Sequence, residues 1–275
     1  MPRAPVISIS HGGGPMPLLN DPSHAQITHS LRTRVPQLLK LNTSEEPRAI
    51  VVVTAHWSEL GKVGVSSAER HGLLYDYHGF PAETYKLRYE ASGDSEVAGM
   101  VGEVLKGEGL RVEMDDERGW DHGVFVPMLL INPKAHIPIV QVSVLSSEDP
   151  KEHFKIGKAL SKLRDANIAI VGSGFASFHN LRLLFSGITY DPDFRKRNEA
   201  WSEELSAAVM ERDVESRQKK LEGWRKFQGS SEAHPRGGAE HLLPLIACAG
   251  AGGEGEAKRY KDEFMGLDMW SYYWE

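Results

Sequence analysis

"VISISHGGGPMPLL" occupies residues 6–19. Its opening residues, two isoleucines and a valine spaced by serines, have the β-branched character of a strand covered on both faces. An ionisable imidazole, His11, and three glycines then end the run. This puts the imidazole at the open edge of a sheet, and the missing side chains beside it let a ligand or another backbone approach closely.

Four short segments share that apolar, β-branched character: "PVISIS" at 5–10, "RAIVVVTA" at 48–55, "HIPIVQVSVL" at 136–145 and "NIAIVGSG" at 167–174. Helical patterns lie between them, at 95–109 and 151–166. Alternating strand and helix predicts an α/β fold with a central, largely parallel or mixed sheet flanked by helices and an active site at the strand carboxyl ends. With 275 residues, 40% of them hydrophobic, the chain is expected to form a single domain over 1–275. Farther on, Trp201, Leu205 and Val209 recur at helical spacing, the charged run at 211–220 reads as a solvated face, and "GAGGEGE" at 250–256 reads as a surface loop.

Composition narrows the function. A net charge of −6 without a dominant basic stripe argues against a nucleic-acid partner and favours small molecules. The single cysteine, Cys248, excludes an internal disulfide and any multi-thiolate metal site, and its apolar neighbours give it a core position. No apolar run reaches the ~20 residues of a membrane helix, and no secretory pattern opens the chain, so a soluble, cytoplasmic protein is expected, monomeric or a small homo-oligomer.

Three of twelve histidines stand at or just past predicted strand ends: His11, His56 and, in the loop after "IAIVGSG", His179. Imidazole is the commonest metal ligand, so strand ends that deliver several of them to one crevice point to a metal centre. Trp57, beside His56, is placed to wall an apolar site. His122 follows Asp121 before an apolar segment, and His234 lies in a Pro/Gly loop before an apolar helix that begins near Glu240. His24, His29, His71, His136 and His153 are assigned no chemistry. The P-loop ending, the nucleophile elbow and H-E-x-x-H are all missing.

"SHGGGPMP", "VVVTAHW", "YDYHGFP", "GWDHGVFVPMLL", "GSGFASFHNL" and "EAHPRGGAEHLLPL", in this order over residues 8–247, resemble the class III (LigB-type) extradiol ring-cleavage dioxygenases, specifically the 4,5-DOPA extradiol dioxygenase branch. The resemblance implies one catalytic domain with a mononuclear non-haem Fe(II) centre that uses O2 to open a catechol ring to a muconic semialdehyde. Matched motif by motif, it implies His11, His56 and His234 as metal ligands, His179 as the acid/base residue and His122 as a residue beside bound oxygen. Protocatechuate-cleaving relatives use a glutamate as third ligand, and Glu240 is the nearby carboxylate. The loop "YDYHGFPAETY", with Tyr75, would cover the substrate, and His78 and Arg236 are placed to meet a substrate carboxylate. A three-histidine set also suits Zn²⁺, so the alternative is a zinc-dependent hydrolase or isomerase on the same scaffold.

Overall fold

The computed structural model describes residues 3–275. Eight strands form one mixed sheet: β1 Val6–Ser10, β2 Ala49–Glu59, β3 Val63–Ser66, β4 Val112–Asp115, β5 Ile139–Leu145, β6 Ile168–Gly174, β7 Lys258–Phe264 and β8 Leu267–Trp274. Their spatial order is β4-β3-β5-β2-β6-β1-β8-β7. The central strands β5, β2, β6 and β1 run parallel, while β3 against β5 and the β7–β8 hairpin against β1 are antiparallel. These four central strands are the ones expected from sequence. Every residue of β1, β5 and β6 is buried, as continuous hydrophobicity requires of strands covered on both faces.

The helices are α1 Ala25–Leu38, α2 Ser95–Gly107, α3 His122–Ile131, α4 Pro150–Leu160, α5 Leu181–Leu184, α6 Pro192–Val209, α7 Val214–Glu222, α8 Ser230–Ala233 and α9 Leu243–Ala251. Asp94, Asp149 and Asp191 cap α2, α4 and α6 through their side chains. α9 is buried over its whole length, and Cys248 lies within it. Among the described residues no helix is long and apolar enough to cross a membrane.

Two expectations need correction. The run at 211–220 is not wholly a solvated face, because Arg217 is 0% exposed. Its guanidinium and that of Arg164 donate to backbone carbonyls around the end of α9, where a helix leaves acceptors unpaired. The glycine-rich stretch at 250–256 begins inside α9 and only then becomes loop. Finally, the aromatic tail that carried no expectation forms β8, paired with β1.

Candidate functional site

β1 and β6 end together beside β2, which runs on to Glu59, and this edge opens into a cavity of about 400 Å³. β1 delivers His11, whose amide donates to Gly174 at the end of β6. His56 lies inside β2 rather than after it: pairing with β5 slips in register between Thr54 and Ser58, so the imidazole sits at a bulge. Such irregularities re-aim side chains beside functional sites. His122 opens α3, and His179 follows β6. The loop before α9 brings in Glu240 and His241, and its backbone comes so close to β6 that a Cβ at Gly174 would stand 2.4 Å from the His241 carbonyl oxygen. Only glycine at 174 permits that approach.

Nε2 of His56 is 3.3 Å from Nε2 of His11 and 3.2 Å from Nε2 of His241. The other nitrogen of each ring faces an acceptor. His11 Nδ1 donates to Ser173 Oγ at 3.0 Å, since the Ser173 hydroxyl spends its own proton on the Gly123 carbonyl. His56 Nδ1 faces Asp76 Oδ2 at 3.4 Å, and His241 Nδ1 donates to Glu240 Oε1 at 3.0 Å. These partners fix the tautomers, leaving the bare Nε2 atoms of His11 and His241 each turned toward the bare Nε2 of His56. Burial, reinforced by the neighbouring imidazoles, holds all three rings well below the usual histidine range, so they are neutral.

Bare lone pairs this close to one another, with no donor between them, repel unless a cation sits among them. Ligands about 2.1 Å from a shared ion lie roughly 3.0–3.4 Å apart for bond angles between octahedral and tetrahedral, and the two Nε2 separations fall in that range. The residues present therefore fit a divalent metal.

Asp76 spans two rings. Its Oδ1 accepts from His122 Nδ1 at 2.8 Å and from the His122 amide at 2.9 Å, while Oδ2 faces His56. Burial pushes the Asp76 carboxyl upward, but the hydrogen bonds and charge of His122 outweigh it and hold the group below the usual range. Deeper in, burial and the Asp76 charge raise Asp121 to about 6, with Thr54 Oγ1 donating to it. His179 stacks on His241 with ring centroids 3.4 Å apart, and its Nδ1 faces Glu240 Oε1 at 3.5 Å. Burial, then the charge of His122, lowers His179 to about 4.

The structure brings together His11, His56, His122, His179 and, at the rim, His78. His234 is elsewhere. It is 0% exposed between Trp201 and Trp224, and its Nε2 donates to the Ala176 carbonyl at 2.8 Å. Arg225 grips the His234 carbonyl, keeping this turn behind the cavity wall, and His241, seven positions later, takes the place expected of it. Glu240 bonds to the His241 ring beside the convergent nitrogens. Three further expectations part from the cavity. Trp57 is buried, donates to Glu59 and lies under the Arg118 guanidinium; Tyr75 donates to Leu87 O; Arg236 is exposed outside the lining.

His24, given no chemistry by sequence, shapes the site's edge. Its Nε2 accepts from the Gly13 amide at 2.9 Å while Asp21 Oδ1 takes the Nδ1 proton at 2.7 Å, so the glycine loop is tethered from below. Gly12 there adopts a φ of 89°, and a Cβ would lie 2.3 Å from Pro17 Cγ. The short spacing "DPSH" at 21–24, an acid and an imidazole across one turn, is the signal for this pair.

Known proteins were compared with this arrangement. The model of the family described as "Catalytic LigB subunit of aromatic ring-opening dioxygenase" matches residues 5–274. Dioxygenase tasH of Hapsidospora irregularis is 51% identical over 281 residues, covering 100% of this chain and 86% of the relative. The 4,5-DOPA dioxygenase extradiol of Beta vulgaris is 32% identical over 90% of this chain and 86% of its own, and that of Escherichia coli K12 is 33% identical over 90% and 85%. The crystal structure of uncharacterized protein JW3007 from Escherichia coli K12 superposes with a TM-score of 0.71 at 30% identity, covering 99% of this chain and 100% of that one. Through its matched length and its relatives, this chain belongs to the LigB family and is an aromatic ring-opening dioxygenase.

Proposed function

We propose that the chain is an extradiol dioxygenase that cleaves a catechol with O2 to a muconic semialdehyde, using His11, His56 and His241 to hold Fe(II). The carrying observation is that the Nε2 atoms of His11 and His241 both close on that of His56 while the Nδ1 atom of each ring faces an acceptor. When bound, Fe(II) anchors both reactants on one ion and supplies the route by which the electron-rich ring reduces dioxygen. Both oxygen atoms enter the product, so no external reductant is required.

The protein's own part is positioning and proton traffic. His179 is neutral and stacked against His241, close enough to the convergent nitrogens to take a catechol proton and return it after ring opening. His122 faces the same space, with its centroid 3.8 Å from that of His56, and Asp76 on its Nδ1 stabilises the ring when it carries a second proton. Glu240 orients His241 and His179 rather than ligating. Zn²⁺ would fit the same donors, which makes the metal's redox character, and not its seat, the determinant of activity.

Metal content decides the ligand set. His241→Ala should lose bound metal and oxygen uptake with catechol, whereas His234→Ala should keep its metal and lose mainly stability. Full metal in His241→Ala would overturn the assignment, and loss in Glu240→Gln with an intact His241 would move the third ligand to the carboxylate. Oxygen consumption by the Fe(II)-loaded chain over a catechol panel, with a yellow product, tests the reaction itself.

A further inference from the structure

Away from the imidazoles, the cavity changes character. Phe175 packs edge-on against Phe264 with centroids 5.4 Å apart, Phe80 lies against Gly14, and Leu184 continues the wall outward. At the mouth stand Leu181, 51% exposed, which opens the short helix after His179, and Phe185, 74% exposed, just past its end. The polar end holds two carboxylates, Asp76 and Glu240. Among the described residues that line the cavity there is no lysine or arginine. Arg118, close behind the site, is turned away onto the His56 carbonyl and the Trp57 ring.

We infer that the substrate of this site is a neutral catechol carrying an apolar substituent, with the diol at the imidazoles and the substituent lying along Phe175, Phe264 and Leu184 to the mouth at Leu181 and Phe185. The inference rests on the ring-cleavage reading and deepens it. A substituent ending in a carboxylate would lie along Phe175, Phe264 and Leu184, where the lining holds no lysine or arginine to receive it. An alkyl or aryl group would instead remove exposed apolar surface from water on both sides of the contact. The lining is thus selective by what it lacks as well as by what it offers. DOPA, in the names of the Beta vulgaris and Escherichia coli relatives, carries a carboxylate; this cavity offers one no lysine or arginine, only the His78 imidazole at its rim.

The test compares catechol, butylcatechol and dihydroxyphenylpropionate, the last two similar in length but opposite in character. Oxygen uptake by the Fe(II)-loaded chain gives kcat/KM, and fluorescence titration under nitrogen gives Kd. Each buried methylene should be worth about two- to fourfold, so butylcatechol should exceed catechol by about tenfold or more, and dihydroxyphenylpropionate should fall at or below catechol. Phe185→Arg, at an exposed position, should shift the butyl-to-carboxylate ratio by about tenfold toward the carboxylate. Equal or better use of dihydroxyphenylpropionate by the unaltered chain overturns the inference. So does an unchanged ratio in Phe185→Arg, including the case in which that variant alters only the oligomeric state. If none of the three supports oxygen uptake, the ring-cleavage reading fails, and the anaerobic ranking of Kd still decides the character of the cavity.

Discussion

The two ends of α9 are opposites. Just before its first turn, His241 joins a crowd of neutral imidazoles whose inner nitrogens have no donor to meet. At its last turn, two charged guanidiniums, Arg164 at 1% and Arg217 at 0% exposure, are spread over backbone carbonyls, Arg217 alone reaching five of them. One end is short of partners, and the other, through Arg217, is rich in them. A fold keeps unfavourable local arrangements where chemistry uses them, and the surroundings must be stable enough to hold them there. α9 is the rigid rod between the two, and α4 lies along it.

The sharpest way to break this contrast is to alter each end and ask which property moves. At the site end, His179→Gln keeps a polar ring-sized group against His241 but cannot exchange a proton. Turnover should fall by roughly 10²–10⁴ with metal content and anaerobic catechol binding retained. Near-normal turnover would make His179 a packing residue, and lost metal would make it a ligand. At the far end, Arg217→Met should leave several carbonyls unpaired in the interior and cost about 3–5 kcal/mol in urea unfolding, with kcat of the folded fraction little changed. A large drop in kcat with unchanged stability would mean the two ends are not separable in this way.

Acid sharpens the comparison, because guanidiniums do not titrate and buried imidazoles do. His153 lies on α4, outside the cavity lining. It accepts from the Leu145 amide through Nε2 and donates from Nδ1 to Asp149 O, and burial lowers it to about 4. Its folded value lies below the ordinary 6.5, so between these limits the unfolded chain binds the extra proton. The stability held by the neutral ring is therefore complete above about pH 6.5 and is lost as pH falls toward 4. From pH 7 to pH 5 the loss should be about 2 kcal/mol, and His153→Gln should remove that part of the pH dependence whatever its own cost at pH 7. Parallel pH profiles for both proteins would show that His153 does not carry the effect.

How legible the molecule is in its sequence varies along the same contrast. β1, β2, β5 and β6 can be read because strands buried on both faces are continuous apolar runs. β7 reads "KRYKDEF", the charged alternation of an edge strand, and β8 is rich in aromatics, so neither carries that signature. β3 and β4 have four residues each, too few for any period to show. In the site, His11, His56, His122 and His179 are legible as imidazoles at strand ends and helix starts. The segment "EAHPRGGAEHLL" offers two histidines, and composition does not choose between them. The choice is made in three dimensions by the Arg225 grip on His234 and by the close pass at Gly174. A local signal for the second existed: Glu240–His241 repeats the acid–imidazole pairing of Asp121–His122 just before an apolar helix. Arg217 is hidden for the reverse reason, since five charged or polar neighbours disguise a single buried guanidinium as one more solvated side chain.

The strand order also sets a timetable. β1 lies between β6 and β8, so the strand that bears His11 gains its two neighbours only after residues 168–174 and 267–274 have left the ribosome. Ser173 and His241 are likewise synthesised more than a hundred residues after His11. During synthesis, then, His11 and the apolar strand before it must wait without a sheet to enter, a period in which a nascent chain is exposed to misassociation. The edge of the sheet that carries His11 is consequently a late product of biosynthesis, completed by the nearly finished fold and not by the growing chain.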